Sequence, residues 1–261
     1  MRKQLWFLSS LLAFFIIGCN GPDVQAPEPQ KASVPVLTYK IVTTHPHDTS
    51  YFTEGLEFYN SKLLESTGNY GNSKLVETDP ASGKVIKELK LDNKYFGEGI
   101  TVLHDTLYQL TYKENVVLVY DAKTFKKIAE LPFKGEGWGL TNDGRNLIAS
   151  NGTSSLYYYQ PGTFRFLKEL PVSENGTPVV NINELEFVDG YIYANQWQYG
   201  YIVKIDPSNG NVVAKLDFGN LVDNVRKDNH SDYFNGIAYN KETKKFYVTG
   251  KLWPQIYEVA F

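Results

Sequence analysis

The sequence predicts an all-β protein: a five-bladed β-propeller whose ring is closed by an N-terminal strand completing the last blade. Three observations carry this. A hairpin pattern occurs five times, as "GLEFYNSKLLEST" (55–67), "GITVLHDTLYQLT" (99–111), "GLTNDGRNLIAS" (139–150), "ELEFVDGYIYAN" (184–195) and "GIAYNKETKKFYVTG" (236–250), with starts 40–52 residues apart. A second hairpin follows each of the first four copies: "LVETDPASGKVIKELKL", "VLVYDAKTFKKIAELPF", "LYYYQPGTFRFLKELPV" and "IVKIDPSNGNVVAKLDF". The fifth unit ends early, at "QIYEVAF", and "VLTYKIVTTHP" (36–46) has the outer-strand pattern that would complete it. Four strands per unit at such a period mark a propeller. A β-sandwich of regular hairpins is the alternative, but it explains neither five in-register copies nor a split last unit.

Composition agrees. With 19 Tyr and 15 Phe beside 21 Gly, strands are favoured over helices. A net charge of −3, with no basic run after the N-terminus, gives no electrostatic footprint for nucleic acid.

Taken in chain order, residues 1–18 read as a signal peptide. Arg2 and Lys3 precede the apolar run "LWFLSSLLAFFIIG", which is short for a membrane span of about 20 residues. The run ends at Cys19, the only cysteine, and "IIGC" resembles a bacterial lipobox. That resemblance implies cleavage before Cys19, its lipidation, and a lipoprotein anchored in the cell envelope, at the periplasmic or outer-membrane face; separately, the chain is taken as a monomer. An ordinary signal peptide with an incidental cysteine is the alternative. Residues 19–36, with Pro22, Pro27, Pro29 and Pro35 in a polar stretch, read as a tether, and 37–261 as the propeller. Within the repeats, Asn60-Ser61, Asp143-Gly144 and Asp189-Gly190 are hairpin-turn pairs.

The first strand of each blade should line the central channel, so the residue before each repeat start should sit at one mouth. Those residues are Glu54, Glu98, Trp138, Asn183 and Asn235. Glu98 is the oddest, an acid between Gly97 and Gly99 just ahead of "ITVL". Either the glycines make a bend around a solvated acid, or they clear room for a carboxylate that meets a ligand. A second ring comes from the ends of the second strands: Thr67, Thr111 with Tyr112, Asn151, Asn195 with Trp197, and Lys251. Trp138 and Trp197 are assigned to the pocket, and Trp253 to core or rim. A carboxylate walled by aromatics and close to another acid has a raised pKa, which suits transfer of a proton in both directions.

"FTEGLEF", "ESTGNYGNSKL", "FGEGIT", "GEGWGLTNDG", "NELEFVDGYIYANQW" and "NGIAY…YVTGKLWPQIYEV" resemble, in order, the glutamine cyclotransferase family, the propeller-type glutaminyl-peptide cyclotransferases of plants and bacteria. The resemblance runs from about Leu37 to Phe261. It implies cyclisation of the N-terminal glutamine of peptides or proteins to pyroglutamate, with release of ammonia and no cofactor needed for catalysis. It implies Glu98 as general acid/base and Lys251 and Asn183 as its catalytic partners. Trp138, Trp197, Phe52, Glu54, Tyr112 and Asn235 are then substrate-binding. Two positions depart from the family pattern, which usually has Gln at 54 and often Trp at 112. Two neighbouring acids raise one another's pKa, so Glu54 is expected to move the pH optimum upward.

Other classes stay open on the residues alone. A ring of Glu54, Glu98, Asn183 and Asn235 has the oxygens for a hard cation, as in a calcium-dependent lactonase-like propeller, and leaves room for a structural calcium ion. A non-catalytic binding lipoprotein would use the same platform. His45, His47, His104 and His230 show no metal-ligand spacing.

Overall fold

The computed structural model describes residues 33–261, and the signal segment and Cys19 lie outside them. Five four-stranded antiparallel units follow in chain order. Blade 1 is built from Thr53–Tyr59, Lys62–Thr67, Lys74–Thr78 and Val85–Lys90. Blade 2 comprises Gly97–Leu103, Thr106–Thr111, Val116–Asp121 and Lys127–Pro132. Blade 3 has Leu140–Asn142, Leu147–Ala149, Ser155–Gln160 and Arg165–Pro171. Blade 4 has Ile182–Val188, Tyr191–Gln196, Tyr201–Ile205 and Val212–Asp217. Blade 5 takes Phe234–Asn240, Lys245–Gly250 and Gln255–Ala260 from the C-terminus, and Lys40–Pro46 from the N-terminal side as its outer strand.

The closing strand pairs antiparallel with the last strand, from Lys40 opposite Ala260 to Pro46 opposite Gln255. The predicted single outer strand over 36–46 is in fact two. Val36–Leu37 runs parallel along Val212–Asp217 of blade 4, and the chain then crosses to blade 5. The tether boundary moves as well. Val34 is buried in the core between blades 3 and 4, beside Leu170, Val172 and Val212, and the Pro35 carbonyl accepts from Lys215 N. Residues 34–36 belong to the folded body, and one short segment fastens both blades at the seam.

Local chemistry explains the repeat. Asn60-Ser61, His104-Asp105 and Asp189-Gly190 have positive φ at both residues, the conformation that joins strands with matching twist. Blade 3 differs from the predicted two-residue turn. Only Gly144 has positive φ, and Asp143 organises a wider turn by accepting from Arg145 N and Asn146 N. The outer hairpins share one five-residue turn. At Asp79, Asp121 and Asp206 the first carboxylate accepts from the backbone N–H and hydroxyl of a Ser or Thr two or three residues on. The fifth residue of each turn donates back to the first carbonyl.

The apolar faces pack blade against blade, and each of the five junctions has its own cluster. Leu64, Leu75, Ile100 and Leu107 fill the junction of blades 1 and 2, and Leu56, Leu63, Ala238 and Tyr247 that of blades 1 and 5. The sequence reading missed a small hairpin, Ser173–Glu174 with Thr177–Pro178, and a helix, Gly219–Val225. Trp253, placed at core or rim, is core: it is fully buried and its indole N–H donates to the Asp232 carbonyl.

Candidate active site

Four inner strands share an irregularity at the predicted ring position. The pairing register shifts between Thr53 and Gly55, between Gly97 and Ile100, between Ile182 and Leu185, and between Phe234 and Ile237. Each shift is a β-bulge, which leaves an extra residue unpaired and re-aims its side chain. The residues so placed are Glu54, Glu98, Asn183 and Asn235. In blade 3 the inner strand starts only at Leu140, and Trp138 is held ahead of it by its N–H to the Ser150 carbonyl.

The glycines around Glu98 clear space. A Cβ at Gly99 would lie 2.4 Å from Leu140 N and 2.5 Å from the Trp138 carbonyl oxygen. The inner strands of blades 2 and 3 therefore meet backbone to backbone, joined by Gly99 N–H donating to the Trp138 carbonyl at 2.7 Å. Gly152 plays a similar part from the next loop, since a Cβ there would fall within the Trp138 ring contacts at 2.4 Å.

A cavity of about 200 Å³ opens at this mouth, lined by Phe52, Glu54, Phe96, Glu98, Tyr112, Trp138, Asn183, Trp197 and Lys251. Eight of these are predicted site residues. Asn235, expected in the lining, lies one layer below. Its Nδ2 donates to the Thr53 carbonyl at 3.1 Å and to Glu54 Oε2 at 3.3 Å, so it supports a lining residue instead of forming the wall. Phe96 was missed, although a signal was present: Phe52 and Phe96 each stand two residues before a ring glutamate.

Polar groups are buried and aromatics half-exposed. Glu54, Glu98, Asn183 and Lys251 are all at most 6% exposed. Lys251 Nζ donates to Glu54 Oε1 at 2.6 Å and sits 4.4 Å from the centre of the Phe52 ring. Trp138 and Trp197 meet edge to face at 5.5 Å, and Trp197 continues onto Tyr233. On the other side Phe96 touches Phe52, Tyr70 and Tyr112. Asn183 Oδ1 is buried and has no hydrogen-bond partner among the described residues, which leaves an acceptor on hand for a ligand donor.

Burial raises the Glu98 pKa well above the usual carboxylate range, and the Glu54 charge raises it further against the opposing pull of Lys251. Burial also raises Glu54, while the Lys251 charge and its hydrogen bond act in the other direction.

Comparison with known proteins gives the lineage. The glutamine cyclotransferase family model matches residues 13–261. A glutaminyl-peptide cyclotransferase of Arabidopsis thaliana is 38% identical over 265 positions, covering 99% of this chain and 82% of the plant protein. The chain belongs to the glutamine cyclotransferase family. The crystal structure of Myxococcus xanthus glutaminyl cyclase superposes with a TM-score of 0.80 at 32% identity, over 85% of this chain and 95% of that one. The cyclotransferase propeller is therefore the fold of this chain.

Deeper in the ring, three more carboxylates are buried or half-buried. Glu184 accepts from Leu56 N at 3.2 Å and Ile237 N at 2.8 Å, Glu186 from Tyr239 N, and Glu57 from the Thr101 hydroxyl. Burial lifts all three pKa values, that of Glu57 to about 7. These contacts tie the inner strands of blades 1, 2, 4 and 5 together. Among the described residues, no group of three or more His, Cys, Asp or Glu side chains is arranged to hold a metal ion.

Proposed function

We propose that this cyclotransferase acts on peptides or proteins with an N-terminal glutamine, closing it to pyroglutamate with release of ammonia, and that Glu98 is the acid/base. One observation carries the reading: a buried carboxyl of raised pKa at the floor of a small aromatic-walled cavity, beside an unpaired acceptor and an ammonium.

The chemistry asks for little more. The α-amine attacks the γ-amide carbon of its own residue, so no protein nucleophile is needed. The side chain must be folded into a near-attack geometry, and Trp138 and Trp197 supply two faces at nearly right angles for this. Asn183 Oδ1 accepts from the amide or amine N–H. An ammonium has three donors, and Glu54 takes one from Lys251, so another can meet the developing negative charge on the amide oxygen. A carboxyl with a raised pKa moves a proton toward the departing nitrogen near neutral pH.

The same proposal requires no metal and no cofactor, and it places a monomer at the bacterial envelope through a lipid on Cys19. The test incubates residues 33–261 with a Gln-Phe-type peptide and follows ammonia and the corresponding mass loss. Turnover is expected in wild type, unchanged by EDTA, and reduced about 10²–10⁴-fold by Glu98→Gln. No turnover on any N-terminal glutamine peptide by folded protein would overturn it. Fatty-acid labelling of the full chain, abolished by Cys19→Ser, tests the anchor.

A further inference from the structure

The aromatic wall of the cavity does not end at Trp197. That ring meets Tyr233 at 5.2 Å between centres, and the Arg226 guanidinium lies over the Tyr233 ring, 5.3 Å from its centre. The two contacts keep the guanidinium within about 10.5 Å of the Trp197 ring, the span of about three residues of extended chain. Arg226 and Tyr233 belong to residues 218–233, the stretch between the last strand of blade 4, ending at Asp217, and the first strand of blade 5, starting at Phe234. Blade 5 enters its inner strand at the mouth that holds Glu54, so the stretch rims the cavity. Its backbone is fastened there. Lys251 N–H donates to the Tyr233 carbonyl and Asp232 N–H to the Lys251 carbonyl, each at 2.9 Å. His230 Nε2 meets the Thr49 carbonyl at 3.0 Å.

The other cations at this mouth are engaged. Lys251 is paired with Glu54 at 2.6 Å, and Lys113, which stands over Tyr112, is paired with Glu136 at 3.2 Å. Arg226 is exposed and has no carboxylate partner among the described residues. Asp228, two residues on, turns back to accept from His230 N, Ser231 N and the Ser231 hydroxyl. Lys227 donates to Asn224 Oδ1. The stretch carries Asp223, Asp228 and Asp232 against Arg226 and Lys227, so it is no general basic patch. It presents one guanidinium, oriented by an aromatic face. A guanidinium over a ring keeps its N–H donors in its own plane, in the fork that matches a carboxylate.

We propose that Arg226 is a specificity-determining residue, which reads a carboxylate of the substrate about two residues beyond its N-terminal glutamine. The inference rests on the cyclotransferase reading above and deepens it. With the glutamine side chain between Trp138 and Trp197, the rest of the peptide leaves over the rim. On the Tyr112 side, Lys113 is taken by Glu136, and Glu114 accepts from the Tyr70 hydroxyl. On the Tyr233 side the Arg226 donors stand ready. The carboxylate is either the side chain of an acidic third residue or the C-terminus of a very short peptide, since both fall within the same reach. The contact is exposed and far from the reacting atoms. It should therefore alter kcat/KM about 3–5-fold, mainly through KM, and weaken as salt rises.

The experiment compares two peptide sets on the purified protein by ammonia release. The first is Gln-Phe-Glu, Gln-Phe-Gln and Gln-Phe-Lys, all C-terminally amidated; the second is Gln-Phe as free acid and as amide. In wild type at low salt, kcat/KM is expected to fall in the order Glu, Gln, Lys at the third position, or to favour the free acid over the amide. Discrimination in the first set assigns the ligand to an acidic side chain, and discrimination in the second alone assigns it to a peptide C-terminus. Arg226→Lys should keep the sign of the preference, and Arg226→Glu should invert it, which loss of a merely structural contact would not do. Glu-to-Lys and acid-to-amide ratios that are the same in wild type and Arg226→Glu overturn the inference and leave the cyclotransferase reading intact. Inactivity of wild type on every peptide of both sets would instead overturn that reading, and the role of Arg226 with it.

Discussion

Gly99→Ala probes the point where backbone packing and catalytic geometry coincide. The added Cβ would lie 2.4 Å from Leu140 N, 2.5 Å from the Trp138 carbonyl oxygen and 2.6 Å from the Gly139 carbonyl carbon. Ordinary contact begins near 3.4 Å, so the two inner strands must part by about 1 Å. No side-chain rotation can absorb this, because all three obstacles are main chain. The movement also strains the hydrogen bond from Gly99 N–H to the Trp138 carbonyl. Overpacking of this kind costs about 1–3 kcal/mol, and with rigid neighbours the upper end applies. For a domain of this size about 3 kcal/mol corresponds to a fall in Tm of about 6–12 °C. The same shift separates Glu98 from Trp138, and a misplacement of about 1 Å costs on the order of 10²-fold in rate. Thermal unfolding by circular dichroism and ammonia-release kinetics read the two effects. Gly219→Ala is the control, since its Cβ would meet only the exposed Asp217 carboxylate, at 3.0 Å. A Gly99→Ala protein with Tm within about 2 °C of wild type and the same kcat/KM would refute the close-approach argument.

Three further outcomes follow from the same structure. Beginning the chain at Lys40 instead of Ser33 removes buried Val34 and the strand on blade 4; stability in urea should fall by about 2–3 kcal/mol, and an unchanged midpoint would show that the second fastening is idle. Asn183→Ala removes an acceptor that has no partner among the described residues, so Tm should hold while kcat/KM drops about 10-fold or more; equal losses in both would place Asn183 in the framework instead. His47 is buried at the seam, accepted by the Trp253 carbonyl at 2.7 Å and paired with Glu65 at 3.1 Å. Burial pushes its pKa down, but the Glu65 charge and hydrogen bond, with the Trp253 carbonyl, outweigh this and the pKa is raised. The resulting stabilisation is full below about pH 6.5, the unfolded value, and is lost as pH rises through the higher folded value. Urea midpoints should therefore decline on the alkaline side of neutrality in wild type, and that decline should be shallower in His47→Gln.

What could be read without coordinates divides along a physical line. The five blades were legible because each hairpin is specified by residues close in sequence: Asn60-Ser61 or Asp189-Gly190 in a tight turn, and an Asp followed by Ser or Thr in the wider one. The helix Gly219–Val225 was not, for it has no side-chain cap, no acid in its first turn and only Leu221 buried, so tertiary packing of blade 4 against blade 5 must set it. The seam was half-legible. The alternation of 36–46 announces an outer strand, but nothing local says that two residues of it belong to a different blade. For the site, counting one residue back from each repeat start found the ring because the bulges recur at that register. Register alone says nothing of depth. Asn235 and Glu54 hold equivalent positions, yet Asn235 turns to support the Glu54 carboxylate while Glu54 reaches the cavity. The Glu54 carboxylate meets Lys251, 197 residues away in sequence, at 2.6 Å within the cavity lining. A pairing that far apart leaves no periodic trace, yet it ties a second buried acid into the lining of the cavity that holds Glu98.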